Sequence, residues 1–135
     1  MDESRNIEVV REMWEAYDRE GLEAILAFAT SDAEWRPYSA HGEGFQTTAD
    51  YRAHVEQMAE GQEIVEAKMF DIQAAGDWVV VSGRLRLRRS EGMSDNPMYW
   101  AHRLHNGKIV FTASFTNLTE ALQTAGLQAS DRTPA

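Results

Sequence analysis

The sequence has 135 residues, enough for one domain with its own hydrophobic core, and it contains no cysteine, which excludes disulfides, thiolate metal sites and thiol nucleophiles. Hydrophobic residues make up 43% of the chain and charged residues 26%, a composition that excludes intrinsic disorder. The formal net charge of −9 argues against nucleic acid as a partner, because the overall field repels a phosphate backbone.

The ends of the chain and its hydropathy predict where the protein resides. The N-terminus lacks the basic start and the apolar run of a signal peptide. Apolar runs such as Val79–Val81 are far shorter than the ~20 residues that span a bilayer. We therefore predict a cytoplasmic protein without membrane contact. It is expected to form a single domain over residues 1–135, with a folded core at about 6–127 and a flexible tail at 128–135.

The first part of the chain carries helical spacing of its apolar residues. Asn6 is the expected N-cap of the first helix, and Gly21 is expected to end it. A second helix is expected to end at the polar run Thr30–Asp32. Helices are thus predicted at residues 6–20, at residues 22–28 and from Thr47 or Thr48 to about residue 60.

The second part of the chain is dominated by strand patterns. Gly76-Asp77 marks a turn, and Asn106-Gly107 is the strongest hairpin signal in the sequence. The segment Ser90 to Pro97 is predicted to be a polar loop, and Leu118 to Gly126 either a last short helix or an extension. Strands are predicted at residues 33–38, 63–74, 78–89, 98–105 and 108–117. This order predicts the α+β class, with an antiparallel meander whose one face is covered by the helices.

Four segments in this order carry a resemblance to a known family. They are VVREMWEAY at 9–17 followed by GLEA at 21–24, DAEWRP at 32–37, GDWVVV at 76–81 with Gly83, and NGKIV at 106–110 followed by EAL at 120–122 and GL at 126–127. With these segments the chain resembles SnoaL-like proteins of the nuclear-transport-factor-two-like superfamily. The resemblance implies a cone-shaped fold, shared with ketosteroid isomerases, in which a curved antiparallel sheet and three N-terminal helices enclose a pocket.

The resemblance also implies a class of function, which the residues at the family's catalytic positions qualify. It implies a cofactor-independent cyclase, isomerase or hydrolase that acts on an apolar, carbonyl-bearing compound of polyketide or terpenoid type. The acids and the tyrosine of ketosteroid isomerases align near Pro37, Trp100 and Met13, so none of those functional groups is present. The acid/base aspartate of SnoaL-type cyclases aligns with Asn117, whose amide can orient a carbonyl but cannot exchange a proton.

Strand alternation predicts which side chains face the pocket. If Trp100 points inward, then His102 does so too, and the partner strand is expected to present Phe111, Phe115 and Asn117 on the same side. The arginines of the third strand are expected to point outward, because burying them costs too much. These are Arg84, Arg86 and Arg88. We expect them to form a solvated face paired with acids such as Glu66, or else a contact for an acidic partner.

Histidine is the remaining candidate for proton transfer. We predict His102 as the acid/base and Asn117 as a catalytic hydrogen-bond donor to the substrate oxygen, assisted by Trp100. Other residues are predicted to bind substrate: Trp14, Tyr17, Tyr38, His54, Met58, Trp100, Phe111 and Phe115. For His54 the interpretation as a core histidine is favoured, whereas for His102 the core and the catalytic interpretations are equally open. The four histidines have no metal-ligand spacing, so neither a metal nor another cofactor is expected.

Two functional hypotheses stay open at this point. The first is a SnoaL-like enzyme for a small carbonyl compound, and the second is a non-catalytic protein that binds a small apolar ligand in the same pocket. The replacement of the family's aspartate by Asn117 favours the second hypothesis, whereas the resemblance favours the first. The resemblance further implies a homodimer formed through the outer sheet face, to which Trp78, Val80 and Tyr99 would contribute apolar area.

Overall fold

The computed structural model describes residues 3–40 and 43–126, so the predicted tail at 128–135 lies outside the described residues. The elements in chain order are α1 (Glu3–Glu20), α2 (Leu22–Ala27), β1 (Ala29–Arg36), a short 3₁₀ helix (Tyr38–Ala40), α3 (Thr48–Met58), β2 (Glu63–Ala75), β3 (Trp78–Arg89), β4 (Gly92–His105), β5 (Lys108–Phe115) and α4 (Leu118–Thr124). The predicted α+β class is confirmed. No described helix has both the length and the apolar character that crossing a bilayer requires.

The five strands form one sheet in the order β1-β5-β4-β3-β2. β2 to β5 are antiparallel neighbours, as the meander predicted, but β1 pairs with β5 in parallel. β1 also starts earlier than predicted and includes Thr30–Asp32. The pairing of Ala29 with Ile109, whose N–H donates to the carbonyl of Phe28 at 2.9 Å, extends this strand through the polar run.

Capping residues explain two helix starts. Thr47 caps α3, because its side chain accepts a hydrogen bond from the Asp50 N–H at 3.1 Å. The expectation that Asn6 caps α1 is wrong, since α1 begins at least one turn earlier. Asn6 is instead fully buried, and its amide nitrogen donates to the carbonyl of Gly76 at 3.5 Å. It thereby fixes α1 to the β2–β3 turn.

β4 is longer than predicted, because residues 92–97 belong to the strand and not to a loop. They pair with β3 from Gly92, opposite Arg89, onwards. Pro97 fits here because β5 ends at Phe115, which pairs with Tyr99. The first part of β4 therefore has only β3 as a neighbour, and a proline at such an edge removes no ladder bond on the open side.

A β-bulge decides which residues of β5 face inward. Leu104 pairs with Ile109, but Arg103 pairs with Phe111, so Val110 is an extra residue in β5. One extra residue moves every later side chain to the opposite face. The prediction that Phe111, Phe115 and Asn117 face inward is therefore wrong. The inward positions on β5 are those that pair with Trp100 and His102, namely Ser114 and Thr112.

The outer sheet face is partly covered by α4, which confirms the helical alternative for the last segment. Asn117 is the N-cap of this helix and accepts a hydrogen bond from the Glu120 N–H at 3.2 Å. The buried residues of α4 pack against an outer apolar cluster that contains Trp78, Val80, Tyr99 and Phe115. The apolar area expected to support a homodimer is thus in contact with the chain's own last helix, and dimerisation stays a prediction.

The rest of the outer face carries ion pairs that join neighbouring strands. The outward orientation predicted for the β3 arginines is confirmed. Each of them contacts a carboxylate, in the pairs Arg84–Glu66 (2.6 Å), Arg86–Asp95 (2.8 Å) and Arg88–Glu63 (3.3 Å). These pairs are largely exposed, so each contributes ~0–1 kcal/mol to stability.

Gly83 lies where β2 and a tryptophan ring approach β3 most closely. A Cβ at this position would lie 2.1 Å from the carbonyl oxygen of Lys68 and 3.2 Å from the ring of Trp100. The register between β2 and β3 also shifts here, between Met69 and Asp71, which bends the strand. The missing side chain therefore allows β2 and the ring of Trp100 to approach β3 closely.

We expect Gly83→Ala to destabilise the fold by about 1–3 kcal/mol, because the contact with Lys68 involves backbone that moves only with the strand. Urea unfolding followed by tryptophan fluorescence measures this change. Gly61→Ala is the matched control, since nothing lies within 4 Å of its Cβ position. We expect a change within about 1 kcal/mol for the control. Equal midpoints for the two variants would contradict the close approach at Gly83.

Candidate functional site

A cavity of about 420 Å³ lies between the inner face of the sheet and helices α1 to α3. Its volume falls within the range of small-molecule sites. The wall is mainly apolar and includes Leu22, Ile25, Val55, Ala67, Leu85, Leu87 and Met98.

Two tryptophans in the cavity wall contact each other. Trp14 on α1 and Trp100 on β4 meet edge to face, with ring centroids 4.6 Å apart and ring planes at 64°. They are only 7% and 9% exposed, and both line the cavity. Both tryptophans also belong to the hydrophobic core cluster that contains Leu104 and Ile109.

Six of the predicted site residues line this cavity and four do not. Those at the cavity are Trp14, Tyr17, Tyr38, His54, Met58 and Trp100. Phe111 and Phe115 lie on the other side of the sheet, where Phe111 contacts Trp78 edge to face and Phe115 packs under α4. Asn117 follows β5 and caps α4 with its side chain. His102 points to the inner side but does not reach the cavity.

Two phenols supply hydrogen-bond donors in the cavity. Tyr51 stacks on Trp35 with ring centroids 4.4 Å apart, and the Trp35 indole donates to Thr48 Oγ1 at 3.1 Å, so the start of α3 is held against β1. Burial, and secondarily the neighbouring Tyr17, raises the pKa of Tyr51 to about 12. Burial, followed by the charge of Asp18, also raises the pKa of Tyr17. Both phenols therefore keep their protons at neutral pH.

Further polar groups come from the sheet side of the cavity. Ser114 and Thr116 line it from β5 and its end, and Asn96 lines it from the edge part of β4. Ser114 Oγ accepts a hydrogen bond from the Tyr38 N–H at 2.7 Å, which fixes the 3₁₀ helix to the sheet. The Asn96 amide nitrogen donates to Ser94 Oγ at 3.0 Å and to the Leu85 carbonyl at 3.3 Å.

His54 lies on the cavity side of α3, one turn after Tyr51. Its ring lies 4.8 Å from that of Phe45, and it is half-buried. Among the described residues that line the cavity, His54 is the only histidine, and none carries a carboxylate. The described residues also contain no group of three His, Asp or Glu side chains placed to hold a metal ion.

His102 is a core residue in this structure. It is 2% exposed, and its Nδ1 lies 2.8 Å from Thr112 Oγ1. Its Nε2 has no hydrogen-bond partner among the described residues, and its ring lies 6.4 Å from that of Trp14. Burial lowers the pKa of His102 to about 3, so the ring is neutral. Because it does not line the cavity, His102 does not contact a molecule bound there.

Several residues at the cavity were missed from the sequence: Tyr51, Gln62, Arg89, Asn96, Ser114 and Thr116. Tyr51 shares the helical face of His54 and Met58, so its position was visible in the pattern. Arg89 has the same strand parity as Leu85 and Leu87, which was also readable. The position of Ser114 could not be predicted, because it depends on the bulge at Val110 and no residue type in β5 indicates that bulge.

The buried neutral His102 predicts a pH dependence of stability. The unfolded chain binds a proton on this residue near pH 6.5 and the folded chain only near pH 3. Stability is therefore complete above pH 6.5 and is lost as the pH falls, by about 2 kcal/mol between pH 7 and pH 5. We expect His102→Gln to lack this loss in urea unfolding measured over that range.

Comparing the variant with wild type cancels the titration of the carboxylates, which both proteins share. His105→Gln serves as the control, since His105 is exposed beside the β4–β5 turn. It should keep the wild-type pH dependence. Parallel pH profiles for wild type and His102→Gln would show that His102 is not held neutral by burial.

The fold recurs in solved structures of low sequence identity. An NTF2-like protein of unknown function from Burkholderia pseudomallei is similar at a TM-score of 0.72 and 22% identity, over 93% of this chain and 98% of its own. A candidate polyketide cyclase from Xanthomonas campestris is similar at a TM-score of 0.68 and 20% identity, over 87% and 94%. TerC, co-crystallised with polyporic acid, is similar at a TM-score of 0.68 and 20% identity, over 90% and 97%.

At these identities the structural likeness shows the fold, a cone of NTF2-like type. No curated protein matches the sequence. The SnoaL-like domain family, however, matches residues 10–112, from the middle of α1 to Thr112 in β5. The chain therefore belongs to the SnoaL-like domain family.

Proposed function

We propose that the protein binds a small, mostly apolar molecule through an oxygen of that molecule, such as a carbonyl or hydroxyl. The observation that carries this proposal is the pair of protonated phenols, Tyr17 and Tyr51, in a mainly apolar cavity whose described lining residues include no carboxylate. A phenol buried in apolar surroundings gains most when it donates to an acceptor that enters with the ligand.

Membership of the SnoaL-like family supports a small-molecule function in general. Two structural neighbours agree with it, since one is a candidate polyketide cyclase and another, TerC, was co-crystallised with polyporic acid. The cavity volume of about 420 Å³ accommodates a molecule of two or three fused rings. The aromatic walls formed by Trp14 and Trp100 suit a flat ligand, whose rings stack or meet them edge-on.

We expect the protein to bind 1-tetralone more tightly than tetralin, the same ring system without the carbonyl. Quenching of tryptophan fluorescence measures both affinities, because Trp14 and Trp100 form the inner wall. Tyr17→Phe and Tyr51→Phe should each weaken tetralone binding by about 3–10-fold, the worth of one hydrogen bond, and leave tetralin unchanged.

Tyr99→Phe is the matched control for this experiment. Tyr99 packs on the outer face under α4, so removing its hydroxyl should leave both affinities unchanged. Equal affinities of wild type for tetralone and tetralin, or equal effects of all three tyrosine variants, would contradict the role of the phenols.

Catalysis by proton transfer is a second candidate function, and the position of His54 favours it. The catalytic pair expected from the sequence, His102 and Asn117, does not reach the cavity, whereas His54 does. Tyr51 stands one turn before His54 on α3, so a bound carbonyl could accept from the phenol while the imidazole removes a neighbouring proton. In this scheme the phenol stabilises the enolate oxygen that develops.

We expect this activity to appear as faster exchange of the protons next to the carbonyl of 1-tetralone in D₂O, followed by NMR. His54→Gln should reduce the protein-dependent rate by about 100-fold or more, as for a lost general base. His105→Gln, an exposed histidine, is the control. If the wild-type protein binds 1-tetralone but the protons exchange only at the rate seen in buffer, this result would contradict catalysis and leave binding as the function.

A further inference from the structure

We infer that the ligand of this cavity is an amphipathic carboxylate, whose anionic group is held by Arg89 at the cavity mouth. The inference rests on the proposed function and specifies the chemical class of the ligand. It starts from the difference between Arg89 and the other arginines of β3. Three of those, Arg84, Arg86 and Arg88, point outward and contact carboxylates.

Arg89 has the opposite orientation. Along β3 the side chains of Leu85, Leu87 and Arg89 alternate onto the inner face, and all three line the cavity. Arg89 is also exposed, which places its charge where the cavity meets solvent. A cation at this position belongs to the wall of the cavity and does not serve the ladder of ion pairs on the other face.

The partner of Arg89 is neutral. Its Nε donates to Gln62 Oε1 at 3.1 Å, and Gln62 lines the cavity too. Among the described residues no carboxylate lies within ion-pair distance of Arg89. The pKa of Glu91, in the same hairpin, is lowered chiefly by the hydrogen bond that its carboxylate accepts from Ser90, and the charge of Arg89 is the smallest of the causes. The two terminal nitrogens of the guanidinium are thus suited to a carboxylate, which accepts two parallel bonds from it.

Apolar side chains separate this cation from the phenols. Tyr51 lies in the first turn of α3, whereas Gln62 follows the end of that helix, so the phenols and Arg89 lie toward opposite ends of α3. Between them the wall is formed by Val55, Met58 and Leu87. From Leu85 to Arg89 the strand covers about 13 Å at about 3.3 Å per residue. The arrangement suits an elongated apolar body with a carboxylate at its outer end.

The net charge of the chain makes the inference sharper. At −9 the overall field repels anions, so a preference for a carboxylate over a neutral ligand has to come from a local group. Decanoate and decan-1-ol test for it, because they share the apolar chain and differ in charge. Quenching of tryptophan fluorescence at low ionic strength gives both dissociation constants.

We expect wild type to bind decanoate about tenfold more tightly than decan-1-ol, the gain of a charge-assisted hydrogen bond. Arg89→Gln should weaken decanoate binding by about tenfold and change decan-1-ol binding by less than about twofold. Arg88→Gln is the matched control, since it removes the same charge from the neighbouring position on the outer face. It should leave both affinities within about twofold, and added salt should weaken only the binding of decanoate.

The inference alone would be overturned if both compounds bind with equal affinity, or if Arg88→Gln and Arg89→Gln weaken decanoate binding equally, which would indicate a general field. Undiminished decanoate binding by Arg89→Gln would also overturn it and would assign the carboxylate to the phenols. If wild type binds none of decanoate, decan-1-ol and 1-tetralone, this result would instead contradict the proposed function itself.

Discussion

The contact between Trp14 and Trp100 is the interaction on which the organisation of the inner face depends. Both indoles line the cavity, and both belong to the buried cluster that contains Leu104 and Ile109. Two indoles that meet edge to face at 4.6 Å bury a large area and leave no room for a small molecule between them. Trp14 lies between the two histidines in this sense: it lines the cavity that His54 also lines, and its ring lies 6.4 Å from that of His102, which does not line the cavity.

The chemistry of the cavity follows from the polar groups that line it. Uncharged donors stand on the helix side and hydroxyl and amide groups stand on the sheet side, but no acid is present among the described lining residues. Such a wall stabilises a ligand oxygen without ionising it. Among the described lining residues, the guanidinium of Arg89 is exposed to water. In the proposed complex it would orient a charged end of the ligand and contribute little to the affinity for the apolar body.

Much of the fold was readable from the sequence, because its elements carry strong periodic signals. The alternation of β3 and the helical spacing of α1 could be predicted from the local sequence alone. The site was less readable, since it depends on the register of β5, and the bulge at Val110 arises from the fit of two strands rather than from a residue type. The aromatic residues Phe111 and Phe115 favoured the wrong parity, because their apolar partners lie on the outer face. Phe111 contacts Trp78, and Phe115 packs under α4, a segment that the sequence left open between helix and extension.

The edge strand β2 has a consequence for the behaviour of the protein in concentrated solution. Its thirteen residues would offer a long row of unpaired amides and carbonyls to another chain, and Phe70 beside them is 60% exposed. Two irregularities in its register and the charges of Glu66 and Lys68 interrupt that row. A foreign strand would have to match a kinked and charged template, so β2 resists the edge-to-edge growth through which exposed sheets aggregate.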